Sequence, residues 1–407
     1  MDGGVLGRAV DVFDVKLKWE SLGMTGKQPV ARSGYGFIKA KDDCFVIFGG
    51  VSASGYLNDV YALRMVPNPR SAKYIGLWNE VKTTGEGPEP RAYPGMVLLE
   101  NRWIYVFGGV SNNVQFHNDV YELDLRTLKW RRIETSKGGG GPSPPGRCGS
   151  SVCLSGKLLL VFGGCGAKYE HFNDVWAFDL SLLSWIRLFP SPSSSSSSST
   201  SSLPSDNTLY PSPRRNAGLC CYGNDVFILG GKGAKREMFS DVFRFDVCSA
   251  KWELLSSSLV ENEGFVGSLT LSYGTHIIIH GGLLSASSAS SSLFVKRLGP
   301  IGFGKDKFIR FHCGGESGNL SSVARGMHGG IVLQLPFIDN QRTEKKNANS
   351  TSGGKMISHR TKAVADFKEP VLVVFGGSDN KRDLGDMLLL RLNSVFSHTG
   401  NANNKGH

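Results

Sequence analysis

Five arginines recur at the start of glycine-containing apolar segments: Arg32, Arg91, Arg147, Arg215 and Arg325. A guanidinium is planar, permanently charged and able to form paired hydrogen bonds with a carboxylate or phosphate, so such a set suits the capture of an acidic group. Regular recurrence favours a structural use of the same chemistry. A second set of cations lies in short polar segments that read CGAKYEHF, KGAKREMF and SDNKRDLG: Lys168, Lys232, Lys235, Arg236, Lys381 and Arg382. Gathered on one rim, they would steer an acidic or phosphorylated partner towards the protein. Tyr169, with Tyr56 and Phe116, is an aromatic candidate for the same contact surface.

Other reactive side chains show little pattern. The nine histidines are scattered. His276 and His280 would share one side of a strand, which suits either a metal pair or, more simply, core or channel histidines. The eight cysteines include no CxxC and no metal-ligand spacing, and are read as buried thiols of a reducing compartment. Cys220 and Cys221 would point to opposite faces of a strand. No glycine doublet is followed by GK[ST] or a nucleophile elbow. No cofactor and no metal is expected.

The elements that must position these residues are set by a repeat. Apolar runs ending in a glycine doublet occur six times, FVIFGG, IYVFGG, LLVFGG, VFILGG, IIIHGG and LVVFGG. They account for much of the glycine excess, 52 Gly against 17 Pro in 407 residues. After most doublets comes a polar-Asp-apolar-aromatic step: Asn58-Asp59-Val60-Tyr61, Asn118-Asp119-Val120-Tyr121, Asn173-Asp174-Val175-Trp176 and Ser240-Asp241-Val242-Phe243, with the weaker Gly385-Asp386-Met387-Leu388 in the sixth copy. Trp78, Trp130, Trp185 and Trp252 then open a further apolar run. Each copy is four short strand-like segments divided by turn residues and without a helical period, the pattern of a four-stranded antiparallel blade. The fifth copy departs from it: Phe265 stands where the arginine is expected, and the Asp-Val step and the Trp are missing.

On the doublet, the Asp-Val-aromatic step and the Trp, the chain resembles the kelch-repeat family from about Phe13 to Leu392. The resemblance implies an all-β fold, a six-bladed propeller of four-stranded antiparallel blades. The expected organisation is an N-terminal tail at 1–12, the propeller at 13–392 with a Ser-rich loop at 190–213 and a polar insert at 334–370, and a disordered tail at 393–407. The tail has no Trp strand, whereas Phe13-Asp14-Val15 and Lys18-Trp19-Glu20 read like Phe245-Asp246-Val247 and Lys251-Trp252-Glu253. Residues 16–22 are therefore expected to supply the outer strand of the sixth blade.

Kelch proteins also suggest uses. In some, arginines around the channel mouth bind a partner's carboxylate; others are copper oxidases or sugar-acid epimerases. The Glu-x3-Asp-x3-His iron pattern of plant specifier proteins is matched by Glu170 and Asp174 but fails at Phe178. With only about fifteen residues before the first expected blade strand, the BTB or F-box domain that accompanies many kelch propellers is not expected. The expected function is a non-catalytic, monomeric protein-interaction module or scaffold. It would bind an acidic or phosphorylated protein partner through the loop-bearing top face. The alternative is a carbohydrate-type epimerase or isomerase working in the channel. A net charge of +11 leaves a nucleic-acid or anionic-membrane binder as a third reading, but the positives are scattered rather than gathered in one block. Without a signal-peptide core or an apolar run of spanning length, a cytoplasmic or nuclear location is expected.

Overall fold

A computed structural model describes residues 10–41, 44–68, 71, 73–135, 142–190, 209–260, 263–285, 288–298, 308–315, 324–337, 364–379 and 381–401. Most of the Ser-rich loop and of the polar insert lies outside these residues.

The six repeats fold into antiparallel meanders. The first runs through strands Gly36–Lys41, Cys44–Ser52, Gly55–Pro67 and Tyr74–Glu80, and the second through Gly95–Leu99, Trp103–Phe107, Val120–Asp124 and Lys129–Ile133. The third (Ser151–Ser155 to Ser184–Phe189) and fourth (Gly218–Tyr222 to Lys251–Ser256) repeat this order. These four stand as separate sheets. The expectation of six separate blades is corrected here, because the strands of the fifth and sixth repeats are joined in one eight-stranded sheet.

The join is the strand Val10–Ser21. Its residues from Val10 to Trp19 pair in parallel with the last strand of the fifth repeat, Phe308–Gly315. Only Glu20 and Ser21 pair antiparallel with Leu389 and Leu388 of the sixth, extended by Leu22 N–H to Met387 O at 3.0 Å. The N-terminal segment does complete the sixth repeat, but it does so by bridging two repeats, and it starts at Val10, inside the expected tail.

Side-chain packing shows why that segment is needed. Each repeat's Trp packs on the residue just before the preceding repeat's doublet: Trp130 on Phe48 at 5.4 Å, Trp185 on Phe107 at 5.1 Å, Trp252 on Phe162 at 5.7 Å and Trp78 on Phe375 at 4.8 Å. Trp19 does the same for the sixth repeat, lying 4.8 Å from His280. The fifth repeat has no Trp, and the matching residue in the fourth is the aliphatic Leu229, buried in a cluster with Phe265 and Phe294.

The doublets close the ring. The second glycine of each donates its N–H to the carbonyl of the next repeat's arginine position: Gly50 to Arg91, Gly109 to Arg147, Gly164 to Arg214, Gly231 to Phe265, Gly282 to Arg325, and finally Gly377 back to Arg32. Both glycines need positive φ, 65° and 98° at Gly49 and Gly50, and a Cβ on Gly49 would lie 2.8 Å from the Arg91 carbonyl. No other residue type meets both demands.

Two further expectations change. The polar insert begins later than 334, because the hairpin of Gly329–Phe337 and Val364–Phe375 continues through it, with Gln334 opposite Pro370. Part of the expected disordered tail is a helix, Asn393–Asn401. It is held by buried Val395 and by Phe396, which stacks on Tyr273 at 5.7 Å.

Candidate functional site at the channel mouth

The repeated arginines are built into the blades. Arg32, Arg91, Arg147 and Arg325 are no more than 1% exposed. Each forms paired hydrogen bonds with the Asp of its own repeat: Arg32 with Asp59, Arg91 with Asp119, Arg147 with Asp174 and Arg325 with Asp386. The same guanidinium donates to the first glycine carbonyl of the doublet, as Arg147 Nη1 does to Gly163 O at 3.0 Å. A carboxylate on a partner therefore has no access to these four, which corrects their assignment as partner-binding residues.

The fourth repeat departs from the expectation in register. Its buried arginine is Arg214, paired with Asp241 and bonded to Gly230 O, not Arg215. Arg215 is one residue further on, half-buried, and its Nη1 lies 4.0 Å from Cys165 Sγ. In the fifth repeat both members of the pair are replaced together. Phe265 takes the arginine position, and Ser292, whose carbonyl accepts from Gly281 as that of Asp119 does from Gly108, takes the aspartate position.

The residue after each buried arginine faces the residue after the doublet, forming a tier of cross-strand pairs: Ser33 with Val51, Ala92 with Val110, Cys148 with Cys165, Arg215 with Lys232, Val266 with Leu283 and Gly326 with Ser378. The tier is apolar or small except in the third and fourth repeats. Beyond it, the hairpin between Lys232 and Met238 carries exposed Lys235 and Arg236, and the corresponding loops carry exposed Lys168, Tyr169, Lys381 and Arg382. Among the described residues, no carboxylate lies within ion-pair distance of Lys168, Arg215, Lys232, Lys235 or Arg236. Asp379 accepts from the backbone N–H groups of Lys381 and Arg382 and, with Asp383 beside it, offsets their charge. In the fourth repeat Glu237 likewise accepts from the Lys235 N–H at 2.8 Å, but there it stands against Arg215, Lys232, Lys235 and Arg236, so the larger excess of positive charge lies on the fourth repeat. Tyr169 is 72% exposed, whereas Tyr56 and Phe116 are half-buried against Val110, Cys148 and Cys165.

Inside the channel, a cavity of about 210 Å³ is lined by Tyr35, Phe37, Met96, Ser150, Val152, Leu269 and His328 with Pro94 and backbone glycines, and among the described residues no carboxylate, Arg or Lys lines it. His328 Nε2 is 3.0 Å from His280 Nδ1. Burial holds both imidazoles well below the usual histidine range, His280 at about 3, so both are neutral. His280 is thus paired with His328 and not with His276, whose ring packs against Phe396 at 4.7 Å. Among the described residues no three His, Cys, Asp or Glu side chains gather as a metal site.

Cysteine usage is also corrected. Cys153 and Cys221, on the innermost strands of adjacent repeats, form a disulfide. Cys220 turns to the opposite face and is buried, its thiol pushed up to about 12 by desolvation. Among the described residues no helix is long and apolar enough to cross a membrane.

The comparisons with known proteins agree with this architecture. Residues 7–210 match the KLHDC2/KLHL20/DRC7 Kelch-repeats domain, and residues 213–258 match the Kelch motif. The chain is 27% identical over 245 residues to the leucine-zipper-like transcriptional regulator 1 homolog of Drosophila melanogaster, covering 59% of this chain and 23% of that protein. It is 23% identical over 298 residues to acyl-CoA-binding domain-containing protein 4 of Arabidopsis thaliana (72% of this chain, 41% of that one), and 24% identical over 263 residues to kelch domain-containing protein 3 of Bos taurus (60% and 61%). The chain thus spans less than two thirds of each of these relatives' length, from 23% to 61%. The solved structure of YjhT superposes with a TM-score of 0.55 at 15% identity, covering 89% of this chain and 95% of that one, which establishes likeness of fold. With a family domain matching half its length, its Arg–Asp blades and its closed ring of glycine doublets, the chain belongs to the kelch-repeat family and is a kelch propeller.

Proposed function

We propose that this propeller is a non-catalytic interaction module that binds an acidic or phosphorylated segment of a protein through the top face of its fourth repeat. Kelch repeats suggest a protein-interaction propeller, and the finer reading is supported by one observation. Once the blade arginines are paired with their own aspartates, the described residues of the third and fourth repeats' mouth and top-face loops still carry Arg215, Lys232, Lys235, Arg236 and Lys168 with no carboxylate within ion-pair distance, a cluster opposed in its own loop by Glu237. Exposed cations of this kind accelerate encounter and select sign more than they supply affinity, so the exposed Tyr169 is assigned the role of an anchor beside them. Lys381 and Arg382 play a lesser part because of their neighbouring aspartates. The proposed setting is a monomer in the cytoplasm or nucleus. A cavity that sets Tyr35, Ser150 and His328 among apolar side chains, with no carboxylate or cation among its described lining residues, gives the epimerase reading no support.

The test is an array of acidic, phosphorylated and neutral peptides probed with the full chain and with K232E/K235E/R236E. Binding by the full chain that falls with rising salt and is lost in the variant supports the proposal. Equal binding by both proteins, or a preference for neutral peptides, refutes it.

A further inference from the structure

In the tier of cross-strand pairs at the channel mouth, the third repeat alone places two cysteines opposite one another. Cys148 and Cys165 exchange both backbone hydrogen bonds, at 3.0 and 2.9 Å, and their Sγ atoms are 3.6 Å apart. Opposed residues of this hydrogen-bonded type have Cα atoms about 5.5 Å apart, within the span a disulfide bridges without moving the backbone. The guanidinium of Arg215 from the next repeat lies 4.0 Å from Cys165 Sγ. The S–H of Cys148, and after it the charge of Arg215, outweigh burial and draw the Cys165 thiol below the ordinary cysteine range, while Cys148, as the donor, is pushed up. The remaining thiols lack this arrangement: Cys220 and Cys313 are buried and pushed up to about 12, Cys44 is half-buried with no second cysteine facing it, and Cys248 is exposed.

We propose that Cys148 and Cys165 form an oxidative-modification site, a dithiol that a small hydroperoxide converts to a disulfide across the mouth of the propeller. Cys165 is the attacking sulfur. Its thiolate displaces hydroxide from hydrogen peroxide, forming an S–O bond as the O–O bond breaks; the hydroxide takes up a proton as water, leaving a sulfenic acid on Cys165. The sulfur of Cys148 then attacks that of Cys165. The S–S bond forms, the S–O bond breaks, and the departing hydroxide takes the Cys148 proton to leave as a second water. Two thiols and one peroxide thus give one disulfide and two waters, with two electrons passing from sulfur to peroxide oxygen. Both thiols are nearly buried, at 5% and 2% exposure, which restricts the oxidant to a small molecule. Closure removes the thiolate that faces Arg215 and so frees this guanidinium. The chemistry stands independently of any partner bound at the mouth.

The test treats the full chain with hydrogen peroxide, quenches in acid, alkylates free thiols and maps tryptic peptides. Cys148 and Cys153 share peptide 148–157, Cys165 is in 158–168 and Cys221 in 216–232. The structure starts with 148–157 joined to 216–232 through Cys153–Cys221. Oxidation is expected to add 158–168 to this assembly, reversibly on treatment with dithiothreitol, and faster than Cys248 is consumed. C165S should form no such species, and R215Q should form it about threefold more slowly, for loss of the facing charge. Failure of 158–168 to join in the unmodified protein, irreversible oxidation of Cys165 with Cys148 left free, or an unchanged rate in R215Q with its melting preserved would each overturn the proposal.

Discussion

Replacing Arg214 by Met leaves Asp241 facing a protein interior with no cation, and the fifth repeat shows how the loss is tolerated when both members change. Arg214 is 1% exposed, donates to Ser212 O and Gly230 O at 2.9 Å each, pairs with both oxygens of Asp241, and lies 4.0 Å from the Phe239 ring. Removing one partner of a buried pair costs about 3–5 kcal/mol; because the Asp241 side chain keeps 17% exposure, the lower end, about 3 kcal/mol, applies to R214M. For 407 residues unfolding as one unit the entropy of unfolding is roughly 0.8 kcal/mol/K, so Tm should fall by about 4 °C. The double variant R214F/D241S copies Phe265 and Ser292, and Phe243 stands where the fifth repeat has Phe294, on which Phe265 packs at 5.3 Å. Replacement of a whole buried pair by packed apolar groups is near neutral, so the double variant should recover to within about 1 kcal/mol of the parent. Calorimetric and denaturant melts of the three proteins read the difference. If R214M melts with the parent, the arginine is not the internal strut described; if the double variant is as weak as R214M, the fifth repeat's substitution depends on more than this pair.

The N-terminal strand and the histidine pair give further predictions. W19A removes a ring that is 1% exposed and should cost about 3–5 kcal/mol, and removing residues 1–22 should yield an aggregating chain because the Met387–Leu389 edge is uncovered; a truncated monomer that melts like the full chain refutes this. His280 and His328 are neutral when folded and free to protonate when unfolded, so the unfolded state binds more protons below the usual histidine pKa of about 6.5. Stability should therefore fall as pH drops through that value, by about 1.4 kcal/mol per histidine between pH 8 and pH 5.5. Denaturant midpoints against pH, compared with H280F/H328L, should flatten in the variant; parallel curves would show that other groups carry the dependence.

How far the sequence could be read follows from which contacts leave a periodic mark. The doublets, the Asp step and the Trp recur because ring closure, arginine pairing and inter-repeat packing make the same demand in each repeat, so family, strand composition and N-terminal completion were all legible. The merging of two repeats was not, because it depends on Val10–Trp19 choosing the parallel edge of Phe308–Gly315 over the antiparallel edge of Met387–Arg391. Nothing in the alternation of side chains separates those edges. The Cys153–Cys221 disulfide was equally hidden, since its partners are 68 residues apart and meet only when neighbouring innermost strands are aligned.

The misplacement of the fourth arginine is different, because the sequence did contain the means to avoid it. From Arg32, Arg91 and Arg147 to the aspartates that they hold is 27, 28 and 27 residues. Asp241 is 27 residues from Arg214. Arg215 breaks that spacing. In these four repeats the gap varies by a single residue, as does the gap of 16 or 17 from the arginine to the first glycine of the doublet, and either spacing identifies Arg214; only in the sixth repeat, where the insert intervenes, does the Arg–Asp gap lengthen to 61. Once Arg214 is assigned to the blade, Arg215 falls into the tier occupied elsewhere by Ser33, Ala92, Cys148, Val266 and Gly326, where the repeat makes no demand for charge. A cation that the architecture does not require, next to two sulfurs that it also does not require, marks the junction of the third and fourth repeats as the place where this propeller differs from its own pattern, and function is to be sought there and not in the five arginines that obey it.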